Sequence, residues 1–195
     1  MRIRIFLLVI SLVSLQGFSQ KSYLSLNYSI GFPSGDIKDF ADGTSGRGAA
    51  LDYAYFVKEN ISVGISASWQ SFYEDRGYQS FTDGTATLTG KQFNYVNTLP
   101  IYLNANYFFK AGTSVKPYVG LGIGTIYASK RSDIGIFEIA DDGWAFGVKP
   151  EVGLQYMVSS NFALNAAYRY NFASDIDEVG NMSYSSLLIG VAWYY

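Results

Sequence analysis

From Tyr23 to Tyr195 the chain alternates in side-chain character with a period of two, and this periodicity constrains its fold more than any other feature. Successive side chains of a strand point to opposite faces, so a half-buried strand keeps one apolar parity. Residues 23–32 put Leu24, Leu26, Tyr28, Ile30 and Phe32 on one parity and Tyr23, Ser25, Asn27, Ser29 and Gly31 on the other. The same split recurs over residues 50–57, 61–70, 99–109, 118–127, 144–157, 162–172 and 186–195. Eight strands follow, each with one greasy face and one small or polar face.

Their connections alternate in length. Residues 58–60, 110–115 and 159–161 are short turns, whereas 33–47, 73–91, 128–143 and 173–183 are long and polar. Short turns at one end and long loops at the other are the pattern of an antiparallel, up-and-down transmembrane β-barrel, with the turns periplasmic and the loops extracellular. The length allows about 22 residues for each of eight strands with its connection, and only about 11 for each of sixteen, which excludes a large porin.

A soluble barrel of lipocalin type is the competing architecture, but it would turn its bulky apolar set inward. Here the apolar set is the bulkier one and includes Trp69, Trp144 and Trp193, while the other face is mostly Gly, Ser, Ala and Asn. Outward aromatics gather at both strand ends, with Trp69, Tyr95, Tyr127, Trp144 and Phe172 near the loops. Phe109, Tyr156, Phe162, Trp193 and Tyr195 lie near the turns. Two aromatic girdles suit two membrane interfaces.

The N-terminus reads as an export signal. Arg2 and Arg4 precede an apolar run over residues 5–15, and Gly17 and Ser19 occupy the small-residue positions of a cleavage site. That run is too short to span a bilayer as a helix. We expect a signal peptide at residues 1–19 and a single barrel domain at 20–195; cleavage leaves 176 residues and moves the formal charge from -2 to -4.

With no His and no Cys, the chain lacks Ser-His and Cys-His triads, thiol chemistry and ordinary zinc sites. Its acidic balance disfavours nucleic acid as a partner. No cofactor is called for, and the protein is expected not to be an enzyme.

Asp52, Lys149, Glu151 and Arg169 fall on the inward parity, where charge avoids lipid. If the turn at 159–161 pairs Val158 with Phe162, Glu151 faces Arg169; a slip of register sets Lys149 against Arg169, a like-charge contact. The four form a polar lumen cluster, readable as a gate or proton path or as structural packing. Packing is favoured, because eight strands enclose room only for their own side chains.

Gly120, Gly122 and Gly124 have the wrong spacing and context for a phosphate-binding loop, and are expected to make room for aromatic rings from facing strands. The long loops hold 13 of the 16 acidic residues. Asp141-Asp142 and Asp175, Asp177 and Glu178 offer hard oxygens for a cation, but in no recognised spacing, and read as solvated, mutually repelling charges. Ile134, Ile136, Phe137 and Ile139 are apolar within such a loop, and are expected to extend a hairpin above the membrane or to form a contact patch.

Three stretches, LPIYLNANYFF at 99–109, KPYVGLGIG at 116–124 and GVKPEVGLQY at 147–156, resemble the outer-membrane β-barrel domain of PorT-like and other small eight-stranded outer-membrane proteins. The ending Trp193-Tyr194-Tyr195 resembles the aromatic signal read by the outer-membrane insertion machinery. The resemblance implies residence in the outer-membrane lipid, insertion through the C-terminal strand and a monomeric barrel. It implies no single activity. Two roles are expected from it: a non-enzymatic barrel acting through its surface loops in envelope integrity or surface interaction, or a PorT-like accessory of an assembly or secretion complex with an unidentified envelope partner.

Overall fold

A computed structural model describes residues 22–83, 86–109, 114–135, 137–176 and 180–195. The expected signal peptide and its cleavage site, most of the turn at 110–115, and Ile136, Asp177 and Glu178 lie outside the described residues.

The alternating segments form β1 (Ser22–Pro33), β2 (Ser45–Lys58), β3 (Ile61–Asp83), β4 (Ala86–Phe108), β5 (Val115–Ile134), β6 (Phe137–Met157), β7 (Phe162–Ala173) and β10 (Tyr184–Tyr194). A short helix α1 (Asp36–Phe40) lies between β1 and β2, and a two-stranded ribbon of β8 (Asp175–Ile176) and β9 (Gly180–Asn181) between β7 and β10. Each barrel strand is antiparallel to its neighbours, and β1 closes on β10 through Tyr23↔Tyr194 to Pro33↔Tyr184. The fold is the eight-stranded up-and-down transmembrane barrel that the alternation predicts.

Leu26, Leu103, Leu121, Ile123, Val152 and Ile189 face outward and are exposed, while Ser25, Asn27, Ser66, Gln155 and Asn165 on the other parity are buried. That polarity is the inverse of a soluble protein and suits a lipid solvent. Two buried clusters fill the lumen. At the turn end, Tyr23, Phe108, Tyr118, Leu188 and Tyr194 pack together with Phe56 and Met157. At the loop end, Ile37 and Ala41 of the α1 segment pack with Phe72, Tyr102, Ile126, Met182 and Tyr184.

The glycines do not all serve facing rings. A Cβ at Gly120 or Gly122 would meet the Asn106 or Asn104 amide, and one at Gly124 the β4 backbone. Room for rings comes instead from Gly147, where a Cβ would lie 3.0 Å from the Tyr102 hydroxyl, and from Gly153, where it would strike the Tyr118 ring.

Two prolines interrupt the wall. β3–β4 pairing stops at Ala67↔Ile101 and resumes at Gln70↔Thr98, beside Pro100. β6–β7 pairing stops at Val148↔Phe172 and resumes at Glu151↔Arg169, beside Pro150. A proline has no N–H to give to such a ladder.

The long connections are more ordered than their polarity suggests. Strands β1, β7 and β10 have 12, 12 and 11 residues, close to the 9–11 that cross a bilayer. Strands β3 and β4 have 23 each, β5 has 20 and β6 has 21. The expected loops at 73–91 and 128–143 are therefore largely hairpin continuations, and β4 and β5 stay paired as far as Gln92↔Ile134. Four strands stand above the barrel as an open sheet.

Candidate functional site

The charged lumen residues meet between the two apolar clusters. β6 and β7 set Glu151 opposite Arg169, as the three-residue turn requires: the Val158 and Ser159 amides both donate to the Phe162 carbonyl. Arg169 Nε lies 3.0 Å from Glu151 Oε2, an ion pair without a directed hydrogen bond. Its Nη2 donates to both Asp52 carboxylate oxygens at 3.1 Å. Lys149 Nζ lies 3.1 Å from Glu151 Oε2 and 4.0 Å from Asp52 Oδ1. All four predicted residues are thus brought together, with Asp52 reaching from β2 across the lumen.

Uncharged neighbours complete the cluster. Tyr118 donates to Glu151 Oε1 at 2.7 Å, Asn27 Nδ2 to Asp52 Oδ2 at 3.0 Å, and Lys149 Nζ to Ser66 Oγ at 3.2 Å. Asn165 Nδ2 then donates to Asn27 Oδ1 at 2.8 Å. Sequence reasoning did not single out these partners, although inward parity marks Asn27, Ser66 and Asn165 as lumen residues. Buried charges cost least when paired and hydrogen-bonded, and two acids against two bases make the cluster neutral. A cavity of about 10 Å³ beside Asp52, Lys149 and Glu151 has room for about one water.

The loop-end mouth is capped by α1, a feature without a sequence signal. Ile37 is fully buried beneath it. Asp36 Oδ2 accepts from the Asn181 amide at 2.7 Å, where Gly180 has φ +84° and leaves the carboxylate space that a Cβ would take. At the other end of α1, Arg76 Nη2 donates to the Asp39 and Phe40 carbonyls, and Asn94 Nδ2 donates to the Phe40 carbonyl at 2.8 Å. Lys130 Nζ lies 4.5 Å from the Phe40 ring centroid. All three other loop-end connections therefore hold the cap. Among the described residues the lumen is filled by side chains, covered by α1 at the loop end and neutral at the centre, the arrangement of a plugged barrel rather than an open pore.

The acids of the projecting sheet are dispersed. Asp142 accepts from the Tyr127 hydroxyl at 3.0 Å, while Asp133 and Glu138 share Arg131 at 3.3 and 3.9 Å. Asp75 lies 2.7 Å from Lys91 Nζ.

Fold and lumen define a small outer-membrane β-barrel. The model of the outer membrane protein beta-barrel domain matches residues 5–194, and the chain belongs to that family. It is 28% identical to the outer membrane protein AlkL of Ectopseudomonas oleovorans over 175 residues, which cover 82% of this chain and 72% of AlkL. Among solved structures it is similar to Neisserial surface protein A, with a TM-score of 0.56 and 18% identity over 89% of this chain and 96% of that one. It is also similar to the Ail attachment invasion locus protein of Yersinia pestis, with a TM-score of 0.54 and 17% identity over 91% of this chain and all of the other. The outer membrane protein OprG of Pseudomonas aeruginosa aligns with a TM-score of 0.53 at 18% identity, over 90% of this chain and 96% of OprG. These structural likenesses concern the fold. The protein is an integral outer-membrane β-barrel.

Proposed function

We propose that residues 20–195, released from a signal peptide at 1–19, form a non-catalytic, monomeric barrel that displays a protruding sheet for surface interaction or envelope integrity. The observation that carries this reading is the contrast between the two ends. Among the described residues the lumen is packed with side chains but for a cavity the size of one water, whereas β3 to β6 invest about ten residues each beyond the spanning length in ordered structure above the membrane. Asp52, Lys149, Glu151 and Arg169 act in this reading as a structural core, since each charge is engaged by the others. Insertion proceeds through the C-terminal strand, whose Trp193 and Tyr195 face outward at the turn end.

The test is to replace residues 79–90 and 132–139 by two-residue turns, leaving the barrel below intact. Loss of the surface or envelope phenotype with unchanged outer-membrane abundance is expected. A phenotype that survives both deletions, together with a stoichiometric envelope partner co-purifying with the truncated barrel, would overturn the reading in favour of an assembly or secretion accessory.

A further inference from the structure

The hydrogen bonds of the lumen cluster fix one another's direction, and they leave one acceptor over. Arg169 Nη2 donates to both oxygens of Asp52, whose carboxylate accepts and does not donate. Asn27 therefore turns Nδ2 to Asp52 Oδ2, at 3.0 Å, and keeps Oδ1 as an acceptor on its other side. Asn165 meets that oxygen with its own Nδ2 at 2.8 Å. A flip of either amide would set two oxygens against each other. Asn165 Oδ1 is thus held in place, buried and without a hydrogen-bond partner, in a residue only 4% exposed.

Lys149 has the complementary surplus. An ammonium carries three N–H donors. Its Nζ donates to Ser66 Oγ at 3.2 Å and lies 3.1 Å from Glu151 Oε2, while Asp52 Oδ1 stands 4.0 Å away, beyond hydrogen-bond reach. At least one donor is left over, and a polar separation of that size is one that a single water can bridge. Asp52, Lys149 and Asn165 all line the same cavity of about 10 Å³, with Ala54 in its wall.

Charge and bonding capacity select the occupant. The two carboxylates of the cluster already balance its two cations. A metal cation would add unpaired positive charge beside Lys149, and an anion would meet Asp52, each a costly burial. The cavity instead suits a neutral group of one heavy atom that accepts once and donates twice. We propose that it is a binding site for one water molecule, which accepts from Lys149 Nζ and donates to Asp52 Oδ1 and Asn165 Oδ1. The water joins β6 to β2 across the lumen, where Lys149 and Asp52 do not meet directly, and satisfies the leftover oxygen on β7. The site lies wholly in the lumen and is independent of what the projecting sheet recognises.

The test is a crystal structure of the barrel that resolves ordered solvent, from crystals soaked in rubidium chloride. One solvent peak is expected in the cavity, within about 3.2 Å of all three atoms and without an anomalous rubidium signal. A cavity without density would overturn the proposal, and so would a rubidium peak, which would mark a cation site. Ala54→Val sends methyl groups into the cavity from its wall. This variant is expected to lose the peak and to show a lower urea midpoint in detergent, because Lys149 and Asn165 are left without a partner. In a dry cavity the same methyl groups would gain contacts, so a raised midpoint would also overturn the proposal. If Ala54→Val does not fold, the solvent peak of the unsubstituted barrel decides.

Discussion

Arg169 is shared between two carboxylates on opposite sides of the lumen: its Nε lies 3.0 Å from Glu151 on the adjacent strand, and its Nη2 donates to Asp52 on β2. Removing it leaves Glu151 and the partly buried Asp52 with Lys149 as the one remaining cation of the cluster. Loss of one partner from a buried ion pair costs about 3–5 kcal/mol, so Arg169→Ala should lower the urea midpoint of unfolding in detergent, followed by tryptophan fluorescence. Replacing all four charged residues by apolar ones of similar volume should cost far less. An unchanged midpoint for Arg169→Ala would refute the pairing.

How much of this was legible in the sequence depends on what fixes each element. Glu151 opposite Arg169 follows from parity and a three-residue turn, both local properties. The bond from Arg169 to Asp52 joins β7 to β2, which are not neighbours in the barrel, so no register arithmetic reaches it. The strand extensions were hidden for another reason. Above the membrane neither face meets lipid, so residues such as Glu74, Asp75 and Gln79 lose the apolar alternation while their backbone continues to pair. The cap α1 has only five residues and is held by contacts from other connections, which leaves no helical period to read.

Ile37 seals the loop-end mouth, and its burial predicts what opening it requires. Planar-bilayer recordings of the unmodified protein should show no stable nanosiemens-scale conductance. Thr98 lies fully buried below the cap and hydrogen-bonds the Tyr184 hydroxyl at 3.1 Å. Because the chain has no cysteine, Thr98→Cys gives a unique probe. It should resist water-soluble thiol reagents in an otherwise unaltered barrel and react when combined with Ile37→Asp, since a buried unpaired carboxylate would expel the cap. Equal reactivity in the two backgrounds would show that Ile37 does not seal the mouth.

Gly153 leaves the space that the Tyr118 ring occupies on its way to Glu151. Gly153→Val should force the ring aside and strain the turn-end cluster, destabilising the barrel by about 1–3 kcal/mol. Combining Gly153→Val with Tyr118→Ala should recover part of that loss, because the clash is removed with the ring. If the double variant is no more stable than Gly153→Val, the ring is not what the glycine accommodates.

Asp75 and Lys91 face each other on the projecting β3–β4 hairpin, outside the membrane. The hydrogen bond from Lys91, followed by that from the Gly77 amide, holds the Asp75 carboxyl below the usual carboxylate range. The same contact with Asp75 holds the Lys91 ammonium above its ordinary value. The signs follow by linkage. The depressed acid supports the hairpin above its unfolded-state value, and that support fades as pH falls through the lower folded value. The raised base supports it below the ordinary lysine range and loses that support as pH climbs through the elevated folded value. Between those limits the pair is charged and its contribution constant, so the hairpin should be insensitive to pH around neutrality. An NMR titration of the Asp75 carboxyl carbon should show a midpoint that rises in Lys91→Ala toward the ordinary aspartate value, with the shift shrinking in high salt because the pair is exposed. Coincident midpoints in the two proteins would show that Lys91 does not hold the carboxylate.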